Sequence, residues 1–321
     1  MTKLSFVIPC YRSELTINNI VREIIETVNA RSGYSYEIIA VNDNSPDRVY
    51  DVLKQLAQSN PAIKVVNLSM NFGQHAALMA GFHVVSGDFV ICLDDDGQTP
   101  ASEVFKLVEQ IEAGYDLVYA QYAQKKHGFF RNLGSALNDR MAQYLIGKPK
   151  QLTLSSYFCT RRFIIDELIN YRNAYPYVAG LLLRITKKTT NVMTTHRDRE
   201  LGTSGYTLKK LLSLWLNGFT AFSIKPLRVA TLFGMLLSTL GFMYGGYLIF
   251  NKFTNPATPL GYSSIMTAII FIGGMILLTL GLIGEYVGRI YISINNAPQF
   301  VIKETLNVSK MSPKSSGEPQ R

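Results

Sequence analysis

Gly87-Asp-Phe-Val-Ile-Cys-Leu-Asp-Asp-Asp-Gly-Gln98 is the stretch on which the reading of the fold turns. Its middle, residues 89–93, is a short apolar run of the kind that forms a buried strand. Three carboxylates follow at the strand's exit. Like charges a few ångströms apart raise one another's pKa, and a divalent cation between them removes that penalty. Oxygen donors select a hard cation, Mg²⁺ or Mn²⁺, of the type that bridges protein to a diphosphate. An isolated run of aspartates is as readily a solvated acidic turn, so the surroundings decide.

Outward from this stretch, strands and helices alternate. Residues 4–8, 36–41, 63–67, 89–93 and 116–120 read as strands, and 14–30, 46–58, 74–85 and 101–113 as helices with one apolar face. This is the βα alternation of an α/β fold with a mostly parallel, doubly wound, Rossmann-like sheet. Ligands of such sheets bind beyond the carboxyl ends of the strands. The polar sets at 11–14, 43–47, 71–74 and 94–98 should therefore share one rim. Residues 129–146 read as a further helix with Arg131, Ser135 and Arg140 among its polar positions, and 190–196 as a strand.

The chain is 47% hydrophobic and 17% charged over 321 residues, and the apolar excess lies after Leu227. No charged residue occurs in 229–251 or in 253–284, and a helix needs about 20 apolar residues to cross a bilayer. Two spans fit, at about 229–250 and 264–283. Lys209, Lys210, Lys225 and Arg228 precede them and Arg289 and Lys303 follow, with only Lys252 between. Both termini are expected in the cytoplasm, in a multi-pass protein of the inner or plasma membrane. No signal peptide is expected before the first strand. Residues 207–226 predict an amphipathic helix in the membrane interface, with Lys209 and Lys210 opposite an apolar face. The domain reading is thus 1–206 globular, 207–226 interfacial, 227–291 membrane hairpin, and 292–321 a partly disordered cytoplasmic tail. Cys10, Cys92 and Cys159 are an odd set in apolar contexts, which predicts free thiols. The net charge of +9 gathers near the membrane-proximal segment and the tail. Anionic headgroups or a phosphate-bearing substrate account for it better than nucleic acid, for which no aromatic-interleaved basic patch exists.

Several motifs carry a family resemblance: Phe6-Val-Ile-Pro-Cys-Tyr-Arg-Ser-Glu14, Val41-Asn-Asp-Asn-Ser-Pro-Asp47, Asn71-Phe-Gly-Gln-His-Ala-Ala77, the aspartate stretch, Arg199-Glu-Leu-Gly-Thr-Ser-Gly-Tyr206 and Gly281-Leu-Ile-Gly-Glu-Tyr-Val-Gly-Arg-Ile-Tyr291. In this order the chain resembles the family 2 glycosyltransferases, in particular the polyprenyl-phosphate group of dolichol-phosphate mannose synthases and bactoprenol glucosyltransferases. The resemblance implies a GT-A fold with a nucleotide-sugar pocket at the strand ends. Pro9, Tyr11 and Glu14 would line the nucleoside side, with Asp43 at the base or ribose. Asn71, Gln74 and Asp95 would belong to the same pocket, Asp95 turned to the face opposite its neighbours. Asp94, Asp96 and Gln98 would hold Mg²⁺ or Mn²⁺, Asp96 most firmly. Arg131 and Ser135 would sit near the phosphates, and Arg199, Ser204 and Tyr206 would close over the diphosphate.

The chain departs from the family pattern at Asn42, where an acid is usual, at Asn44, where glycine is usual, and at Arg12, where asparagine is usual. The family often carries an aspartate just upstream of a basic pair; if Arg161-Arg162 is that pair, Ser155 and Tyr157 stand in its place. A phosphate monoester is mostly a dianion at pH 7, so such a nucleophile needs positioning rather than a base. The resemblance implies a metal-dependent hexosyltransferase that moves a sugar, with inversion, from a nucleotide sugar (a UDP-sugar in the first instance) to polyprenyl phosphate for cell-envelope glycans. It also implies a homo-oligomer, with a tetramer favoured. Rivals are a processive polysaccharide synthase, which should carry a Gln-x-x-Arg-Trp motif that the lone Trp215 does not supply, and a non-catalytic binding partner of a flippase. His75 reads as structural, and His83, His127 and His196 lack metal-site spacing.

Overall fold

The structure is a computed structural model, and it describes residues 1–122, 147–195, 197, 261–294 and 298–308, with single positions 143, 232, 234, 236, 239, 240, 243, 244, 247, 250 and 254. Two compact units divide the chain: Met1–Gly205 together with Ala297–Arg321, and Tyr206–Asn296.

The first unit is built on β1 (Thr2–Cys10), α1 (Ile17–Asn29), β2 (Tyr34–Asn42), α2 (Val49–Ser59), β3 (Ile63–Leu68), α3 (Gln74–Phe82), β4 (Phe89–Cys92), α4 (Val104–Glu112), β5 (Leu117–Tyr122), β6 (Phe158–Arg161), α5 (Arg162–Leu168), α6 (Val178–Ile185), β7 (Thr189–Thr194) and β8 (Ile302–Leu306). The strands form one sheet in the order β7-β5-β6-β4-β1-β2-β3-β8. Its centre, β4-β1-β2-β3, is parallel, as is β5 with β7. Strand β6 runs antiparallel between β4 and β5, and β8 antiparallel along β3. The expected α/β sheet is thus present, mixed at its flanks.

Helical periodicity explains the layer over one face. Ile17, Ile20, Val21, Ile24 and Val28 of α1 are buried on the sheet. Helix α3 lies on the other face and is apolar all round, with every residue from Ala76 to Phe82 buried. Its small residues allow close approach: a Cβ on Gly81 would meet Val7 Cγ1 at 2.6 Å. That contact seats the C-terminal turn of α3 closely on β1 and β2.

A charged knot braces the same layer. Ser5 and Glu37 are register partners on β1 and β2. The Glu37 carboxylate is 2% exposed, ion-paired to Lys3 at 2.8 Å and Lys64 at 2.9 Å. It also accepts hydrogen bonds from Ser5 Oγ, Ser86 N and Ser86 Oγ at 2.5–2.6 Å.

Some elements differ from the sequence expectation. The helix expected at 101–113 starts as a 3₁₀ turn, Ala101–Glu103, behind Pro100, and the one expected at 74–85 stops at Phe82. Strands β6 and β8 and helices α5 and α6 were not anticipated. Each is eight residues or fewer, and β8 (Ile-Lys-Glu-Thr-Leu) carries two charges, so none shows a sustained period. Of the helix expected at 129–146 only Gln143 is described, and it is helical; the helix expected at 208–222 lies outside the described residues.

In the second unit, α7 (Tyr262–Ile294) runs 33 residues, about 50 Å at the standard rise. Its segment Phe271–Gly288 has a mean hydropathy of 1.7 and is long and apolar enough to cross a membrane. Phe271, Ile272, Ile276, Leu277, Leu280 and Ile283 are exposed along it, an arrangement that water does not favour. The expected span at 264–283 lies within this helix. Of the span expected at 229–250, the described residues from Leu232 to Phe250 are helical, and the rest lie outside the description.

Candidate active site at the strand ends

The loops after β1, β2, β3 and β4 meet at one edge of the sheet, because parallel strands all discharge their carboxyl ends there. Hydrogen bonds between loops tie them together. Asp95 Oδ2 accepts Tyr11 N–H at 2.8 Å, joining the fourth loop to the first. Ser45 Oγ accepts Arg12 N–H at 2.7 Å, and Asp47 Oδ2 accepts Glu14 N–H at 3.0 Å. Glu14 Oε2 returns the connection by accepting Arg48 N–H at 2.7 Å. Asp43 accepts Phe72 N–H and Gly73 N–H at 2.7 and 2.8 Å, and Asn71 Nδ2 donates to Asp43 O at 3.3 Å.

The three aspartates separate by direction. Asp94 Oδ1 accepts Gln74 Nε2–H at 2.8 Å, and its Oδ2 accepts Ser156 Oγ–H. Asp95 turns the other way, to Tyr11, and its backbone carbonyl accepts Thr16 Oγ1–H at 2.5 Å. Burial pushes the Asp95 carboxyl up to about 6; the charges of Asp94 and Asp96 add to this, and the Tyr11 N–H opposes it. Asp96 Oδ1 accepts Gln98 N–H at 3.1 Å around Gly97, whose φ of +75° is one that glycine adopts without strain. Burial likewise raises the Asp43 carboxyl against the pull of its two backbone donors.

The structure shows what stands at each family departure. Arg12 (φ +59°) and Asn44 (φ +47°) both sit in the left-handed region, which asparagine and glycine tolerate best. Asn42 is buried and donates Nδ2–H to Asn67 Oδ1 at 2.8 Å while its Oδ1 accepts Ser45 N–H at 3.1 Å. A neutral amide meets both partners without burying a charge. Tyr157 is a core residue, 1% exposed, with its hydroxyl on Pro100 O at 3.2 Å. Ser155 Oγ accepts Tyr157 N–H at 3.1 Å.

Sequence reasoning missed Ser156 and Tyr122. Tyr122 ends β5; burial raises its phenol, a hydrogen bond with Ser155 opposes this, and the charges of Asp94 and Asp96 add to the rise. It also missed Arg197, whose guanidinium makes two 2.8 Å bonds to Glu23 and whose N–H donates to Gln98 O at 3.1 Å. Arg197 therefore fastens the chain that leads into residues 199–206 onto the aspartate loop. His75 packs edge-on to Tyr177 at 5.2 Å, and burial lowers its pKa to about 4, which keeps the ring neutral as a structural group. Pro9 lies in β1 beside Val41, next to the rim. Arg131, Ser135, Arg199, Ser204 and Tyr206 lie outside the described residues.

Asp94, Asp96 and Gln98 offer hard oxygen donors. That donor set is of the chemical kind that a Mg²⁺- or Mn²⁺-type ion takes. Among the described residues no group of three His, Cys, Asp or Glu could hold a metal ion.

Comparison with known proteins adds a second line of observation. Residues 5–170 match the family described as glycosyl transferase family 2, and residues 225–290 match the GtrB C-terminal hairpin. The undecaprenyl-phosphate 4-deoxy-4-formamido-L-arabinose transferase of Edwardsiella ictaluri is 32% identical over 316 residues, covering 96% of this chain and 95% of the relative. The SfII prophage-derived bactoprenol glucosyl transferase of Shigella flexneri is 32% identical over 94% of this chain and 98% of the relative. In fold, the chain is similar to glucosyl-3-phosphoglycerate synthase from Mycobacterium tuberculosis, solved with Mn²⁺ and uridine-diphosphate-glucose, at a TM-score of 0.52 and 18% identity over 68% of this chain and 77% of that one.

Proposed function

The chain belongs to glycosyl transferase family 2, and we propose that it transfers a sugar from a nucleotide sugar to a polyprenyl phosphate in the membrane. One observation carries the reading. The same chain joins a rim of braced polar loops around Asp94 and Asp96 to a 33-residue apolar helix. A donor that is soluble and an acceptor whose tail lies in lipid require that combination. The relatives named for undecaprenyl-phosphate and bactoprenol transfer, aligned over nearly the whole chain, support it.

In the proposed reaction the acceptor phosphate, already a dianion near pH 7, attacks the anomeric carbon of the donor. The bond from that carbon to the diphosphate oxygen breaks, the configuration inverts, and nucleoside diphosphate leaves. A divalent cation held by Asp94, Asp96 and Gln98 would neutralise charge developing on the leaving diphosphate. The chain's own work is positioning. Tyr11, Glu14 and Asp43 shape the nucleoside side through the loops they brace. Ser155 and Tyr157 supply no carboxylate base, and a dianionic nucleophile needs none. Arg131 and Ser135 would meet the phosphates, the acceptor's above all, and Arg199, Ser204 and Tyr206 would close over the diphosphate.

Strand β8 bears on topology. It follows the hairpin in sequence and pairs with β3 of the sheet. A chain that leaves the globular unit and returns to its sheet crosses a membrane an even number of times. That supports two spans with both ends on the catalytic side, and the basic flanks argue for the cytoplasmic side. A homo-oligomer, with a tetramer favoured, belongs to the same proposal and is open to light scattering in detergent.

The test uses full-length protein in detergent with undecaprenyl phosphate, Mn²⁺ or Mg²⁺, and a set of UDP-, GDP- and dTDP-sugars. Acceptor-dependent release of nucleoside diphosphate, with a lipid-linked sugar product and loss on chelation, is expected. No release from any donor would refute the transferase reading in favour of a non-catalytic binder.

A further inference from the structure

The structure assigns Gln74 and Ser156 as a two-sided clamp that orients Asp94 for a divalent cation; this inference rests on the metal site of the proposed function. The clamp closes from two separate elements. Gln74 is the first residue of α3, the helix that packs on β1 and β2. Ser156 arrives by a different route. Strand β6 runs antiparallel to β4 with Cys92 opposite Phe158. Continuing that register by two residues brings Asp94 opposite Ser156, where the hydroxyl meets Oδ2.

The consequence is chemical. A carboxylate on an exposed turn rotates freely, and a metal must immobilise it. Donors on both oxygens fix its plane before a cation arrives. Partners of this kind typically change metal affinity by 10–100-fold when removed. The clamp also sorts the triplet: Asp94 is turned to Gln74 and Ser156, while Asp95 is turned to Tyr11. Ser156 and Gln74 are therefore positioning residues, acting on the cation through Asp94.

The experiment measures Mn²⁺ binding to the full-length protein in detergent with saturating UDP, following free Mn²⁺ by electron paramagnetic resonance. Ser156→Ala is expected to weaken Mn²⁺ binding about tenfold or more. Ser156→Thr, which keeps the hydroxyl, should restore most of it, and Gln74→Ala should weaken it similarly. Asp94→Asn is the control and should abolish tight binding. If Asp94→Asn loses Mn²⁺ while Ser156→Ala and Gln74→Ala bind it as the unaltered protein does, the clamp is overturned and the metal site stands. If Asp94→Asn itself binds Mn²⁺ normally, the metal site falls and the clamp with it. Circular dichroism melts separate either result from a folding defect, and the Ser156→Thr variant keeps the clamp falsifiable if Ser156→Ala does not fold.

Discussion

Replacing Glu37 by glutamine should cost stability in a pH-dependent way whose size follows from the geometry. Burial alone would raise this carboxyl. Hydrogen bonds from Lys3, Ser5, Ser86 and Lys64 outweigh that and bring it down from 4.5 to about 2. At about 1.4 kcal/mol per pKa step, the difference corresponds to about 3 kcal/mol. The sign follows from the direction. A carboxylate with a depressed folded pKa contributes stability that is complete above about pH 4.5 and lost as pH falls toward about 2. Lys64 is 16% exposed and Lys3 38%, so Lys64 suffers more when its counter-charge is removed. Glu37→Gln should thus destabilise by about 3–5 kcal/mol near neutral pH, as for a broken buried pair. Urea unfolding of full-length protein in detergent, followed by circular dichroism, measures the gap between the two proteins. The gap should shrink by about 3 kcal/mol between about pH 5 and pH 2. His75 also sensitises the fold to acid, but between pH 6.5 and about 4, and it is common to both proteins, so it cancels in the difference. A gap that stays constant with pH, or is absent at neutral pH, would refute the reasoning.

Arg12→Asn should stabilise the protein by a few tenths to about 1 kcal/mol, because φ is +59° there; a lower melting temperature would mean that the guanidinium lying 5.6 Å from the Tyr11 ring outweighs the strain. Arg197→Ala should cut turnover about tenfold by releasing position 197 from Glu23 of α1, while costing under about 1 kcal/mol in melts because the pair is partly exposed. Equal losses in both assays would make Arg197 a purely structural residue. Ser155→Ala should retain substantial transfer activity and Asp96→Ala should lose nearly all of it. Equal inactivity of the two in the transfer assay would show that position 155 supplies an essential group.

Long periodic segments made the fold legible. The alternation of strands and helices through residue 120 could be read because each element there repeats its apolar spacing over several turns or along a buried strand. The second half of the sheet could not be read that way. Strand β6 has four residues, and its place between β4 and β5 depends on antiparallel pairing that local sequence does not encode. Strand β8 is charged because it lies at the sheet edge, where Tyr50 donates to Glu304 at 2.5 Å. The candidate site could be proposed from the sequence where motifs supply side chains directly, as at Asp94, Asp96 and Gln98. It was not legible where a residue acts through another element. Ser156 reaches Asp94 only because β6 reverses direction beside β4, and Arg197 reaches Glu23 across 174 residues of chain.

The rim's acids also show how counting carboxylates misleads. Glu14, Asp43, Asp47, Asp94, Asp95 and Asp96 all lie at the strand ends, and sequence alone makes each a candidate for substrate or metal. In the folded chain Glu14, Asp43, Asp47 and Asp95 hold backbone N–H groups of neighbouring loops. Loop N–H groups gathered at one edge have no strand partners, and short carboxylates are the strongest acceptors available to them. The same charge would be unfavourable if nothing balanced it. Half-buried Asp95, pushed up to about 6, shows that backbone donors alone do not fully do so. The acids therefore divide into a brace and a receptor. The brace holds four loops still before a substrate arrives. In the proposed reaction the receptor, Asp94 and Asp96, would be completed by a cation and by the diphosphate that a soluble donor brings.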